Sequence, residues 1–329
     1  MNEHSTIRLS VLDLVPVLNQ ASPSAALKHA TELAQTAEKL GYTRYWTAEH
    51  HDMPGLACTS PEVLLASIGA VTRTIRLGSG ALLLPHYSPL KVAESFHMLA
   101  SLYPGRIDLG IGRAPGGSAH VTLALSGNFL ERVRQMPDSL DALSKLLQGS
   151  YAWDGEPVTA RPVPDIAPQL WLLGTSRKSA AYAAGHGAGY VFGQFMSDLE
   201  ADEVIPAYRE AFVPSPLGPA PRAIVAVGVV CAETEEEARQ LAERVKASVP
   251  PEARAAASSA EPSPAAGRKL LVGAPQQVKA QLERMSRRYG VDEFIVVTAI
   301  PDYAQRLRSY ELLAQALWGN GVLPSAPKR

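Results

Sequence analysis

The sequence predicts a TIM (β/α)8 barrel, with residues 1–329 forming a single domain. Three observations carry that expectation. Eight segments rich in Val, Ile and Leu run along the chain with helix-forming segments between them, as in a parallel sheet covered on both faces. A length of 329 residues suits one large α/β barrel or two average domains. No G-x-G-x-x-G follows the first strand, the turn by which a doubly wound dinucleotide-binding sheet would declare itself.

The elements follow in order. Residues 7–16, IRLSVLDLVP, form the first strand. Ser22 or Ser24 caps the next helix, in which Leu27, Ala30, Leu33, Ala34, Ala37 and Leu40 fall at helical spacing, and Gly41 ends it. YTRYWTA is the second strand, and Ser60-Pro61 opens a helix with Pro at its first position. Residues 75–85, IRLGSGALLLP, are the third strand, followed by a second Ser-Pro start at Ser88-Pro89. RIDLGIG is the fourth, and residues 126–149 read as one long helix with Phe129, Val133, Met136, Leu140, Leu143 and Leu147 inward.

A proline-rich linker at 155–168 precedes the second half. There QLWLLG, GYVFGQF, PRAIVAVGVVCA and DEFIVVTAI are strands five to eight, each followed by a helix-forming segment. The stretch near 249–268, small, polar and proline-bearing, reads as a mobile insertion on the surface, a candidate lid.

Bulk properties narrow the function. A formal net charge of −1 argues against a general nucleic-acid surface. The two cysteines, Cys58 and Cys231, lie far apart and outside any C-x-x-C pattern, against a disulfide scaffold or a cysteine zinc site. No basic-then-apolar leader and no run of about 18 apolar residues occurs, so a soluble, cytoplasmic protein without membrane contact is the expectation.

In such a barrel the chemistry gathers at the C-terminal ends of the strands. Four stretches fall there: Glu49-His50-His51-Asp52, Gly80-Ala81 to His86, GIGRAPGG and GTSRKS. GTSRKS opens a helix, whose free N–H groups suit an anion, and Arg113 at the neighbouring strand end would complete a phosphate clamp. Ordinary capping by Ser176 and a surface arginine explain the same residues. RAPGGS permits close backbone approach to a ligand, or is a plain loop. The His50-His51 pair admits three readings: metal ligands with Asp13 and His86, loop histidines hydrogen-bonded in place, or a proton donor or base facing a cofactor.

Taken together in order and spacing, AEHH, RLGSGALLLPHYSPLKVAE and LYPGRIDLGIGRAPGG resemble the bacterial luciferase-like flavin monooxygenase family, in particular its single-chain bacterial oxidoreductases. The match is dense over residues 7–130 and looser over 170–195 and the last strand. The resemblance implies a luciferase-like barrel binding FMN, reduced by a separate NAD(P)H-dependent flavin reductase. It implies monooxygenation of a small apolar organic substrate with O2 through a flavin C4a-peroxide that a dry pocket protects.

Carried over residue by residue, His50 matches the catalytic histidine and Arg113 a phosphate-binding arginine. Ser176 and Ser179 match phosphate-binding hydroxyls, with the Arg177 backbone between them. Gly80-Ala81 matches a non-prolyl cis peptide beneath the flavin ring. No metal is implied.

The resemblance further implies a homodimer through early helices, for which Leu64, Leu65, Ile68, Val92 and Phe96 are candidates, although core packing also accounts for them. Apolar side chains expected near the mouth are Trp46, Leu56, Tyr87, Phe192 and Phe195. Two departures stand out. Gly112 occupies the position of luciferase's reactive cysteine, which weakens any reading of light emission or of an aldehyde substrate. The second phosphate arginine has only Arg132 as a loose counterpart. Two alternatives share the fold: hydride transfer with the deazaflavin F420, and a non-catalytic partner subunit like luciferase β.

Overall fold

Eight parallel strands close on themselves in the computed structural model, which describes residues 7–19, 21–248 and 269–319. In chain order they are β1 (Arg8–Asp13), β2 (Arg44–Thr47), β3 (Arg76–Ser79) and β4 (Ile107–Gly112). They continue as β5 (Gln169–Gly174), β6 (Gly189–Gly193), β7 (Ala223–Cys231) and β8 (Glu293–Val297). Each pairs with the next, and β8 returns to β1 with Glu293 opposite Arg8 and Val296 opposite Val11. All eight lie inside the segments expected from sequence, and the TIM barrel holds.

Alternation along each strand sorts the side chains. In β1, Leu9 and Val11 pack outward under the helices, while Leu12 joins an interior cluster with Trp46, Trp171, Val191 and Ile295. Trp46 and Trp171 meet edge to face at 5.8 Å and fill the centre. The helices press their apolar stripes onto the outer layer. Pro23–Lys39 is capped by Ser22, which accepts the Ala25 N–H, and buries Ala26, Ala30, Leu33, Ala34 and Ala37.

Three elements differ from the sequence reading. The third strand stops at Ser79. A cis peptide joins Gly80 to Ala81, and the chain resumes as Leu82–Leu83 beside Ile111 and Gly112 before a 3-10 turn at Leu84–His86. The helix expected over 126–149 is broken. Ala119–Ser126 is a helix of its own, Gly127 turns at φ 65, Phe129–Arg134 follows, and Met136–Leu147 begins anew around Pro137, whose missing N–H cannot continue the preceding ladder.

The third difference is an added strand, Leu270–Gly273, that pairs with the end of β7. The expected linker also opens with a hairpin, Ala152–Trp153 against Glu156–Pro157, turning on Asp154-Gly155. The insertion expected near 249–268 lies outside the described residues.

The N-terminal end of the barrel interior is ionic. Arg44 reaches Asp108 on β4 and Glu293 on β8, both at 2.7 Å, and Arg76 binds the other oxygen of Asp108 at 2.6 Å. Trp46 Nε1 and Ser10 Oγ donate to the same two carboxylates. Burial alone would raise the Asp108 pKa, but the Arg44 and Arg76 guanidinium groups outweigh it and hold the carboxyl below its usual range.

Asp108→Asn removes the negative charge that Arg44 and Arg76 share and is expected to cost about 3–5 kcal/mol at neutral pH by urea denaturation. The folded pKa is depressed, so wild-type stability from this group is complete above about pH 4 and fades as pH falls through the folded value. The gap between wild type and variant should therefore narrow in acid. A gap that stayed constant would place the energy outside this charge.

Candidate active site

The expected site residues follow four consecutive strands. His50 lies just past β2, Gly80 and Ala81 past β3, Arg113 past β4, and Ser176, Arg177 and Ser179 past β5. Because β2 to β5 are hydrogen-bonded neighbours, these residues occupy one arc of the C-terminal rim.

Hydrogen bonds lace the arc together. The Glu49 N–H donates to the Ala81 carbonyl at 3.3 Å, tying the histidine segment to the cis peptide. The His50 N–H donates to Cys58 O at 3.0 Å and the His51 N–H to Gly116 O at 2.8 Å. Gly116, at φ 70, and Gly117 lie so close that a Cβ would stand 2.2 Å from Leu83 Cδ1 and 2.4 Å from the His51 carbonyl oxygen, respectively. The glycine loop thus uses its close approach on the protein itself, at the backbone of His51.

The two histidines have different surroundings. His51 is buried, and its Nε2 lies 2.7 Å from Glu49 Oε1. The same oxygen accepts the Tyr87 hydroxyl at 2.9 Å, and Oε2 accepts the Leu83 N–H at 2.9 Å. His50 makes no side-chain hydrogen bond among the described residues, and its Nδ1 is buried without a partner. Burial, and after it the neighbouring His51, lowers the His50 pKa and so favours the neutral imidazole.

The sequence puts Glu49 in a rim stretch and Tyr87 near the mouth, but assigns neither a role. Their hydrogen bond is the part it missed, because the two are 38 positions apart. His86 is also near: its ring meets His51 edge to face at 5.8 Å and stacks on Phe129 at 5.3 Å. Phe129 was expected inward on a long helix, and the break at Gly127 brings it to His86 instead.

Arg113 is exposed and has no ion pair or side-chain hydrogen bond among the described residues. It follows Gly112 directly on β4, whose Ile111 pairs with Leu172 on β5, the strand that leads into the Arg177–Gly185 helix. Arg177 is exposed at that start. Ser176 caps the helix by accepting the Ser179 N–H, and Ser179 Oγ donates to Ser176 O at 2.7 Å and meets Tyr190 Oη at 3.0 Å. Of the two hydroxyls, Ser176 has the freer proton. Gly174 is obligatory here, since a Cβ would stand 2.2 Å from Ser179 Oγ.

Other candidates fall away from the rim or from their expected use. Asp13, considered with His86 as a metal ligand, is paired with Arg306 at 2.8 Å and accepts the Tyr45 hydroxyl. Among the described residues no group of three or more His, Cys, Asp or Glu could hold a metal ion. Trp46 fills the barrel centre, and Phe192 packs in the outer core. Phe195 remains half-buried above the interior cluster, with Leu14 and Leu173. Leu64, Leu65, Ile68, Val92 and Phe96, considered for a subunit interface, are all buried in the outer core. Arg132 is exposed on the Phe129–Arg134 helix.

A family model described as luciferase-like monooxygenase matches residues 7–311. The chain belongs to the luciferase-like monooxygenase family. The family and a relative 36% identical both carry the name monooxygenase. The chain is 41% identical to Uncharacterized protein YceB of Bacillus subtilis, covering 94% of this chain and 99% of that one. It is 36% identical to N-acetyl-S-alkylcysteine monooxygenase of the same organism, covering 94% and 98%.

Among solved structures, apo-MsnO8 superposes with a TM-score of 0.81 at 39% identity over 94% of this chain and 98% of that one. The fold is shared with two more distant proteins. One is the oxygenating constituent of 3,6-diketocamphane monooxygenase, in complex with FMN, at TM-score 0.73 and 20% identity over 97% and 100% of the two chains. The other is an F420-dependent secondary alcohol dehydrogenase, at 0.65 and 16% over 95% and 99%. No described helix is long and apolar enough to cross a membrane.

Gly117→Ala is expected to push the 113–118 loop off the His51 carbonyl and to cost about 1–3 kcal/mol in urea denaturation. Gly55→Ala, where a Cβ meets nothing within 4 Å, should stay within about 0.5 kcal/mol. Equal effects at the two positions would show that the contact at His51 gives way freely.

Proposed function

We propose that this monooxygenase uses FMN, reduced by a separate NAD(P)H-dependent flavin reductase, to oxygenate a small apolar organic molecule with O2. The observation that carries the reading is the unpartnered, buried Nδ1 of His50 on the rim that also bears the cis Gly80–Ala81 peptide. A buried imidazole nitrogen without a partner is costly, and a ring system with polar edges would relieve it.

The residues fit such a group. Arg113, unpaired, and the helix start at Ser176 and Arg177 would hold the phosphate, with Ser179 fixing Ser176. Gly80 and Ala81 would carry the ring. Bound reduced flavin supplies the activation of O2. His50, whose neutral form burial favours, has a lone pair to take a proton or an N–H to give one. The apolar side chains of Leu14, Leu173 and Phe195, packed on the interior cluster, favour an apolar substrate and exclude water.

The same reading places the enzyme in the cytoplasm as a homodimer. The exposed Val63 and Val71 on Pro61–Val71, and Met98 and Leu102 on Pro89–Leu102, offer an apolar contact face once the expected interface residues are spent in the core. The F420 reading keeps the site and exchanges the cofactor, and a non-catalytic partner role would leave the His50 nitrogen idle.

The test is FMN titration followed by turnover with a flavin reductase, NADH and 18O2. Wild type should bind FMN in preference to F420 and place one labelled oxygen in an apolar product. His50→Gln should keep FMN binding and lose about 10²–10⁴-fold in turnover. Arg113→Gln should weaken FMN binding. Tight F420 binding with no oxygen incorporation would replace this reading with hydride transfer.

A further inference from the structure

We propose that Glu49 is a positioning residue for the histidine pair. Its buried carboxylate holds His51 in the tautomer with the proton on Nε2 and so fixes the segment that presents His50 with its Nδ1 unengaged. The inference rests on the reading of His50 as the proton-handling group.

Glu49 is 2% exposed, and a carboxylate so buried is stable only when its oxygens are satisfied. Three donors satisfy it, each from a different piece of chain: His51 Nε2 from the end of β2, the Leu83 N–H from beyond the cis peptide, and the Tyr87 hydroxyl after the 3-10 turn. An acceptor at 2.7 Å from Nε2 fixes which nitrogen of neutral His51 carries the proton. His51 is in turn held by its backbone, through its N–H to Gly116 O and the contact of its carbonyl with Gly117. With ring and backbone both fixed, the preceding residue has little freedom, and His50 is left as the imidazole without a bond. The groups facing Glu49 are His51, Tyr87, Glu62 and, farther off, Cys58, and His86 meets the far side of His51.

A carboxylate that served only to staple the fold would leave the His51 tautomer and the chemistry untouched, and that difference can be measured. Long-range 1H–15N NMR on the histidine-labelled full chain without flavin reads the tautomer, with His51→Gln to assign the signals. Wild-type His51 is expected as the single Nε2–H form when neutral. Glu49→Gln offers one acceptor oxygen to three donors and is expected to give a mixture of tautomers. With FMN bound, it should lower turnover by about tenfold to a hundredfold, the range for an outer partner of a working imidazole, and by more than it weakens FMN affinity.

Wild-type His51 in the Nδ1–H form, a single unchanged tautomer in Glu49→Gln, or a loss confined to FMN affinity would each overturn the proposal. Should Glu49→Gln fail to fold, the wild-type tautomer still decides. Tyr87→Phe, which keeps the ring volume and removes one donor, should then broaden the same His51 signals, and unchanged signals would count against the proposal. The NMR arm contains no flavin, so a failure to bind FMN would sink the cofactor reading and leave this one standing.

Discussion

Closure of the sheet is the constraint on which everything else in this molecule depends. Once β8 pairs back onto β1, every strand has two neighbours and no edge remains among the eight. Side chains must then alternate between a small closed interior and the helix layer. The interior accepts the Trp46–Trp171 pair at its centre and forces the polar residues of the N-terminal end into mutual contact. Arg44, Asp108 and Glu293, all buried, satisfy one another, and Arg76, partly exposed, adds a bond to Asp108.

The same closure orders the rim. Consecutive strands are spatial neighbours, so the segments after β2, β3, β4 and β5 must stand side by side. The break after Ser79 is part of that arrangement. Turning the chain at the cis Gly80–Ala81 peptide sends Leu82 and Leu83 along β4 and delivers the Leu83 N–H to Glu49. His51 then joins this segment to the glycine loop that follows Arg113. The segments after β2, β3 and β4 are thereby parts of one braced rim.

The pair of histidines shows how neighbouring residues of one type acquire different duties. His51 has a carboxylate, a backbone acceptor and a glycine packed against it. His50 has a buried nitrogen with nothing to bond and a pKa lowered by burial and by His51. A satisfied imidazole stabilises, whereas an unsatisfied one is held at a cost that makes sense at a working site. The proposed flavin is what would engage the open nitrogen.

The sequence by itself determined the eight strands, most of their helices and the four rim segments, because hydrophobic periodicity and a Pro at the first helical turn are local signals, although Ser60 and Ser88 make no side-chain capping bond. It missed the break at Gly127, although Gly, Asn and Pro in GNFLERVRQMP carried the information, because the apolar spacing ran on through them. It also placed Phe192 near the mouth and left the early-helix apolar residues open between core and interface, since a side chain's facing depends on strand register and on which layer covers it. Only the tertiary structure decided that Glu49 receives Leu83 and Tyr87 and that His51, not His50, is the bound imidazole. The Leu83 and Tyr87 contacts span 34 and 38 positions, and distance along the chain erases them from any local pattern, whereas the His51 bond spans two and depends on which way each side chain faces.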